Sequence, residues 1–286
     1  MENQRFNLEE MHFVQLNLLN KVSKICDEYK LTYYLAFGSL LGAVRDNKII
    51  AWDDSIDVVM PYADYEKLLS LPQDMFGEGL FLQTYYSDPQ YPRCYAKLRD
   101  SRTTLIKSNY ASLDMNHGIY INIMPLISLS DDLDKRKIQI KDAELLKAIV
   151  ENKPTSLDKG ITHFHSLLLT KIPARVKLAE REKYKSKILT YENKGTNDCF
   201  VLAGDLSLKL ALPQAWFETA LDWEFEGMTV KVPCGWHEWL TLRYGDYKVT
   251  PISELQSDKI SKFVTLNTEK PYMEYKGKTY CVNGAD

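Results

Sequence analysis

The chain has 286 residues, 45% hydrophobic and 26% charged, enough apolar material to bury a sizeable core in one large domain or two small ones. Its 36 basic and 39 acidic residues leave a net charge of −3, which excludes the generally basic surface of a protein that coats nucleic acid. The five cysteines (Cys26, Cys94, Cys199, Cys234 and Cys281) are odd in number and widely spaced with no CxxC, so reduced thiols are expected rather than a disulfide framework or a zinc site.

In chain order, "MENQRFNLEEMHFVQ" has no basic region followed by an apolar core, and no later run approaches 18 apolar residues. Neither a signal peptide nor a membrane span is expected. The expected location is cytoplasmic, with peripheral contact at the inner face of a membrane left open. Asn7 and Glu10 form a capping-box pair ahead of Met11, Val14, Leu18, Val22 and Ile25 at helical spacing, so an amphipathic helix is predicted to end near Lys30. "TYYLAFG" reads as a short buried strand, "SLLGAVRD" as a helix, "KIIAW" as extended and "SIDVVM" as a second strand. A helix, "YADYEKLLSL", follows Pro61, and "LFLQTYYS" and "CYAKLRD" are further strands.

"HGIYINIMPLISL" is a strand with Ile119, Ile121 and Ile123 on one face and Tyr120, Asn122 and Met124 on the other. From Asp131 to about Lys194 the pattern is helical and charged, broken at Pro154 and Pro173. After "LPQAWF", "FEGMTVKVP" is predicted to form a hairpin and "CGWHEWLTLRYG" a helix, and the tail "PYMEYKGKTYCVN" turns strand-like at its end. The predicted class is α+β, with a core over 1–130, a mainly helical insertion over 131–200 and a C-terminal part over 201–286 that packs back.

The chemistry concentrates in "LAFGSLLGAVRDNKIIAWDDSIDVVMP", residues 35–61, where Asp53, Asp54 and Asp57 interrupt an apolar strand. A buried carboxylate requires a cation, a hydrogen bond or a shifted pKa. If the backbone is extended throughout, Asp53, Ser55 and Asp57 share one face and Asp54 points away or lies in the preceding turn. Clustered carboxylates beside a Gly38-Ser39 turn make a hard-oxygen site suited to Mg²⁺ or Mn²⁺, which would neutralise a di- or triphosphate. The turn offers backbone N–H groups, the helix after it a positive end, and Arg45 a planar donor suited to phosphate. A solvated acidic turn is the competing reading. The aspartates' position inside an apolar strand after a strand–Gly-Ser–helix unit weighs against it.

"YYLAFGSLLGAVRDNKIIAWDDSIDVVMPYADYEKLL" resembles the signature of the LicD family, GTLLGAVR…PWDDDIDIxMPRxDYE. The resemblance continues through "KLRDSRTT", through "HGIYINIMPL" against GIFIDIFPLD, and through "FEGMTVKVP…WLTLRYGDYKVTP" against FEG…YLxxxYGDYMxxPP, so it covers most of the chain. It implies a nucleotidyltransferase-like mixed sheet flanked by helices and a divalent metal, Mg²⁺ or Mn²⁺. The implied activity moves an alcohol phosphate such as phosphocholine from a CDP-activated donor to a cell-surface glycan, a lipopolysaccharide or a teichoic-acid precursor. Carried over by position, Gly38, Ser39 and Arg45 match the family's turn and arginine. Asp53, Asp54 and Asp57 match three of the four acids of WDDDID as metal ligands and catalytic carboxylates, and Tyr244 to Tyr247 match YGDY. Two positions depart: Ser55 stands for the third aspartate of WDDDID, and Asn122 for the aspartate of IDIFPLD. Neither brings negative charge, so weakened metal binding is expected.

Other residues carry weaker signals. Arg99, with Lys97, Asp100 and Arg102, reads equally as a phosphate or glycan contact and as a strand end with surface ion pairs. Asp246 in YGDY reads as an acceptor-site residue or a turn, the resemblance favouring the former. His117 could serve as a base but is the more ordinary turn histidine, and His163 and His165, two apart, are expected in solvent. Trp216, Trp223, Trp236 and Trp239 could line a choline or sugar pocket, though core packing is the commoner fate of tryptophan. The leading expectation is thus a metal-dependent transferase of phospho-alcohol groups, with a nucleotide-activated donor, a glycan or lipid-linked glycan acceptor and no nucleic-acid partner. The alternatives are a catalytically weakened nucleotide- or glycan-binding partner subunit, separated by Ser55 and Asn122, and a plain nucleotidyltransferase.

Overall fold

Helix α1 (Leu8–Tyr29) starts where the capping residues place it: the Asn7 side chain accepts the Glu10 N–H at 3.3 Å, and Met11, Leu18, Val22 and Ile25 are buried beneath. The computed structural model describes residues 6–155, 160–203, 210–249 and 260–282. β1 is shorter than expected, Tyr34–Leu35, because Phe37 takes a left-handed φ of 50° and turns the chain at once into α2 (Phe37–Asp46). Gly38 and Ser39 therefore lie in the first turn of a helix rather than in a loop before it.

"KIIAW" is a bend and turn, not a strand. The Lys48 carbonyl packs so close to Gly42 that a Cβ there would overlap it, and Asp53 N–H donates to the Ile50 carbonyl at 2.8 Å, curling the segment under α2. β2 (Ile56–Pro61) follows, so Asp53, Asp54 and Ser55 precede the strand and only Asp57 lies in it. The expected five-residue extended face is not formed.

After α3 (Tyr62–Ser70) come β3 (Leu80–Gln83), β4 (Ala96–Asp100), β5 (Thr104–Lys107) and the long β6 (Ile119–Leu129). β6 is the organising strand. It pairs parallel with β2 and antiparallel with β4 through its first half, then antiparallel with β7 (Asp198–Val201) through its second. The main sheet runs β1-β2-β6-β4-β3, with β7 carrying β8 (Leu212–Pro213), so both parallel and antiparallel pairs are present in an α+β fold as expected. Ile121 and Ile123 meet Leu18, Leu19 and Val22 of α1 in the largest core cluster.

The charged segment between β6 and β7 forms α4 (Leu133–Glu151), α5 (Ile161–Lys171) and α6 (Ala174–Ile188), with Pro173 at the α6 start. β9 (Ala220–Phe225) and β10 (Met228–Pro233) make the predicted hairpin, and α7 (Trp236–Tyr244) follows. β5 pairs with β11 (Phe263–Asn267), a pairing across more than 150 residues that local pattern does not announce. The tail is a 3₁₀ turn at Tyr272–Tyr275 and an isolated bridge between Lys276 and Tyr280 instead of a strand, and its last predicted residue, 283, lies outside the described residues.

Candidate active site

Strand register sets four polar side chains in one row across the sheet: Gln83 on β3 opposes Lys97 on β4, Lys97 opposes Asn122 on β6, and Asn122 opposes Asp57 on β2. Residues directly opposed across a sheet share a face, so this is one continuous polar strip. At its end Asp57 Oδ1 accepts two donors, the Asn122 amide at 2.6 Å and the Ser55 hydroxyl at 3.1 Å. The two residues that depart from the family pattern are thus the ones that hold Asp57. Asn122 Oδ1 is buried and receives no hydrogen bond among the described residues.

The Asp57 backbone N–H donates to Ser39 Oγ at 2.8 Å, which ties β2 to the first turn of α2. Ser39 N–H itself donates to the Ala36 carbonyl at 3.1 Å, so the helix start consumes one of the N–H groups expected to face a phosphate. Asp53 is buried against Gly38, where a Cβ would overlap its Oδ2, while its Oδ1 accepts the Asp54 N–H at 2.8 Å. Glycine at 38 makes room for a carboxylate of the chain itself. Asp54 turns the other way and pairs with Lys107 at 2.5 Å. Gln15 of α1 donates to the Asp54 and Tyr120 carbonyls at 3.1 and 3.2 Å, and His12 meets the Asp53 carbonyl at 2.8 Å, so α1 fixes the segment before β2.

Arg99 is not at an exposed strand end. It is 2% exposed, donates to Gln83 Oε1 at 2.5 Å and to the Gly118 carbonyl at 2.6 Å, and lies 4.7 Å from the Tyr120 ring centroid. Arg102 alone matches the surface reading, pairing with Asp100 at 2.7 Å. Lys97, also buried, has its ammonium 3.1 Å from the Tyr120 ring centroid. Burial holds it well below the usual lysine range, and the charges of Arg99 and Lys107 push the same way. Lys107 goes up instead: burial opposes its charge, but Tyr120 at 2.7 Å and Asp54 favour it. Lys107 and Gln15 were not singled out in the sequence, since each reaches the site through partners 39 to 105 residues away.

Arg45, in the last turn of α2, forks onto Asp46 at 2.7 Å, while its Nη1 is buried without a partner among the described residues. From the other side, α7 supports the start of α2: Trp239 packs edge-on to Phe37 at 5.7 Å and the Arg243 guanidinium covers the Phe37 ring at 4.8 Å. The Tyr244 phenol is raised by burial, opposed by Arg243, with the charges of Asp53 and Asp57 adding to the rise. Asp246 is exposed in the turn beyond, and Thr250 and Pro251 of that motif lie outside the described residues.

The remaining candidates serve packing. His117 is 1% exposed, donates to the Leu113 carbonyl at 3.0 Å and meets the tilted Tyr280 ring at 4.5 Å; burial lowers its pKa to about 4. His163 is half-buried on the Thr155 carbonyl at 2.7 Å, not in solvent as expected, because it closes the start of α5. Trp239 is core, Trp223 donates to the Ala43 carbonyl at 3.0 Å and meets Trp236 edge-on, and Trp216 fills the space above Gly235. A small pocket rich in tyrosine (Tyr62, Tyr65, Tyr85, Tyr86, Tyr95) is lined by none of the predicted site residues.

For a divalent ion the donor set fits in part. Asp57 and the Asn122 Oδ1, which receives no hydrogen bond among the described residues, are hard oxygens side by side on neighbouring strands, and Asp53 lies against Gly38, next to the Ser39 that accepts the Asp57 N–H. Asp54 is engaged by Lys107, and among the described residues no three His, Cys, Asp or Glu side chains are gathered as a metal cluster.

Comparison with known proteins agrees with this geometry. Residues 30–122 match the family described as LicD/FKTN/FKRP, nucleotidyltransferase domain, a span that runs from the end of α1 to Asn122. Over 261 residues, 88% of this chain and 95% of the relative, the chain is 29% identical to the lipopolysaccharide cholinephosphotransferase LicD of Haemophilus influenzae. A mixed α+β sheet with its carboxylate on β2 and a Gly-Ser helix start beside it thus lie within the span that resembles the LicD nucleotidyltransferase domain, and the similarity to a LicD protein runs along nearly the whole chain.

Proposed function

We propose that this protein is a transferase that moves phosphocholine from CDP-choline to a hydroxyl of a cell-surface glycan, lipopolysaccharide or a teichoic-acid precursor. The acceptor oxygen bonds to the choline-bearing phosphorus, the bond to the bridging oxygen breaks, CMP leaves with the electron pair and the hydroxyl releases its proton. The observation that carries this reading is Asp57, fixed at the end of a polar row directly beside the Gly38-Ser39 helix start, in a chain similar over 88% of its length to a cholinephosphotransferase. Mg²⁺ or Mn²⁺ would be held by Asp57 with Asp53 and the Asn122 oxygen. Such an ion, when bound, neutralises phosphate charge. Gly38, Ser39, Arg45 and Arg99 would frame the donor and Asp246 the acceptor. Residues 1–130 form the catalytic core in this reading, 131–200 an insertion and 201–286 a part that returns to the core.

Among the described residues no helix is long and apolar enough to cross a membrane. We place the protein in the cytoplasm, meeting a lipid-linked acceptor at the inner membrane face. A second reading, a weakened member that binds nucleotide or glycan as a partner subunit, draws on the two hydrogen bonds that already occupy Asp57 Oδ1. The deciding experiment measures CMP release from CDP-choline, CDP-ribitol and CDP-glycerol with Mg²⁺, Mn²⁺ or chelator, against several glycan acceptors. Release dependent on metal and acceptor, greatest with CDP-choline, supports the transferase. Nucleotide binding without release under any condition supports the partner subunit.

A further inference from the structure

Lys97 is 4% exposed, and its ammonium makes a cation–π contact with Tyr120 but no hydrogen bond or ion pair with any described residue. An ammonium has three N–H donors and no acceptor capacity, and a ring face replaces a hydrogen-bonding partner only in part. Leaving such a group buried is costly. Its neighbours do not relieve it: Arg99 and Lys107 are also buried cations beside the same tyrosine, and Asp54 is engaged by Lys107. The strip beside Asp57 thus holds at Lys97 an amine whose charged form the fold leaves without a counter-charge of its own. Directly opposite, Asn122 Oδ1 is a buried acceptor with no donor, yet Lys97 and Asn122 do not bond to each other. On adjacent strands, an amine with unused donors and a buried acceptor without a donor thus stand opposite each other, with hydrogen-bonding capacity that a ligand can satisfy.

We infer that Lys97 is the anion-binding residue of this site, taking a non-bridging oxygen of the donor's pyrophosphate on the strip between β4 and β2. The inference rests on the proposed nucleotide-activated donor only for the identity of the anion. A bound anion favours the protonated amine, which supplies positive charge in a site where Ser55 and Asn122 stand at two acidic positions of the family pattern and metal binding is expected to be weak. Lysine suits this role as a point charge on a flexible stem, and a phosphate oxygen gives its donors the acceptor that the fold withholds.

The test uses inorganic pyrophosphate, titrated calorimetrically into the full chain in chelator, with the parent, Lys97→Met and Lys97→Leu, and thermal melts of all three. With a ring face as its one contact, the buried amine is replaceable in the fold by an apolar side chain of similar length, so both variants are expected to melt at or above the parent temperature while pyrophosphate affinity falls at least tenfold. Affinity within twofold of the parent in a folded variant, no pyrophosphate binding by the parent, or failure of both variants to fold would each overturn the inference, the last by making Lys97 a structural pillar. Turnover of CDP-choline by the parent is followed in parallel. Turnover with undiminished pyrophosphate binding in Lys97→Met removes Lys97 and keeps the transferase; loss of pyrophosphate binding in Lys97→Met without parental turnover keeps Lys97 and removes the donor.

Discussion

Asp57 differs from Asp53 and Asp54 in what holds it: two side-chain donors on one oxygen, and a backbone N–H anchored to Ser39. Asp57→Asn should therefore leave the fold nearly intact while abolishing metal-dependent CMP release, and unchanged release would remove Asp57 from the chemistry. Asn122→Asp replaces a 2.6 Å hydrogen bond with two carboxylates at close range, so one pKa must rise. That variant should lose stability at pH 7 in chelator, regain it as pH falls and one acid protonates, and regain it on adding Mg²⁺. A melting temperature indifferent to both would show that the two side chains do not share a site. Position 57 was legible from strand period and family pattern. The Asp54–Lys107 pair was not, because Lys107 lies 53 residues beyond Asp54 and alone reads as an ordinary surface charge.

Helix α2 is the element that aims the site, and its docking depends on backbone contact at Gly42 rather than on a large side chain. A methyl group there meets the Lys48 carbonyl, so Gly42→Ala should cost about 1–3 kcal/mol and lower the denaturation midpoint in urea without altering the residues of the polar row. At Gly38 the obstacle is the Asp53 carboxylate, a movable group, so Gly38→Ala should displace Asp53 and weaken donor binding with a smaller stability loss. Equal losses of stability in the two variants would contradict the distinction. The long periodic helices, the β2 and β6 strands and the β9–β10 hairpin were legible because each is a local pattern with its own caps or turn. "KIIAW" was misread as extended since its apolar residues say only that it is buried, and β5 escaped notice because its pairing with β11 is set by distant chain.

At the scale of the whole molecule, the buried His117 links the tail to the sheet through Tyr280 and Tyr272. Its pKa falls from 6.5 to about 4 on folding, so the unfolded chain binds the extra proton between those values. The neutral ring's contribution is full above pH 6.5 and is lost as pH falls toward 4, amounting to about 3 kcal/mol. Unfolding free energies of the parent and His117→Gln should accordingly converge from pH 7 to pH 4, and a constant difference would place the histidine in solvent. The insertion's helices were legible as helices, but which sheet edge receives β7 after them was not, since only the β6 register decides it. In the proposed reaction Asp57 and its polar row serve the transfer of phosphocholine. This role is tested most directly by following CDP-choline and lipopolysaccharide with the parent and Asp57→Asn by phosphorus NMR. CMP and a new glycan-linked phosphodiester should appear together with the parent and Mg²⁺ or Mn²⁺, and neither should appear with Asp57→Asn. Equal formation of the diester by both proteins, or CMP release by the parent with no phosphorus on the glycan, would contradict it.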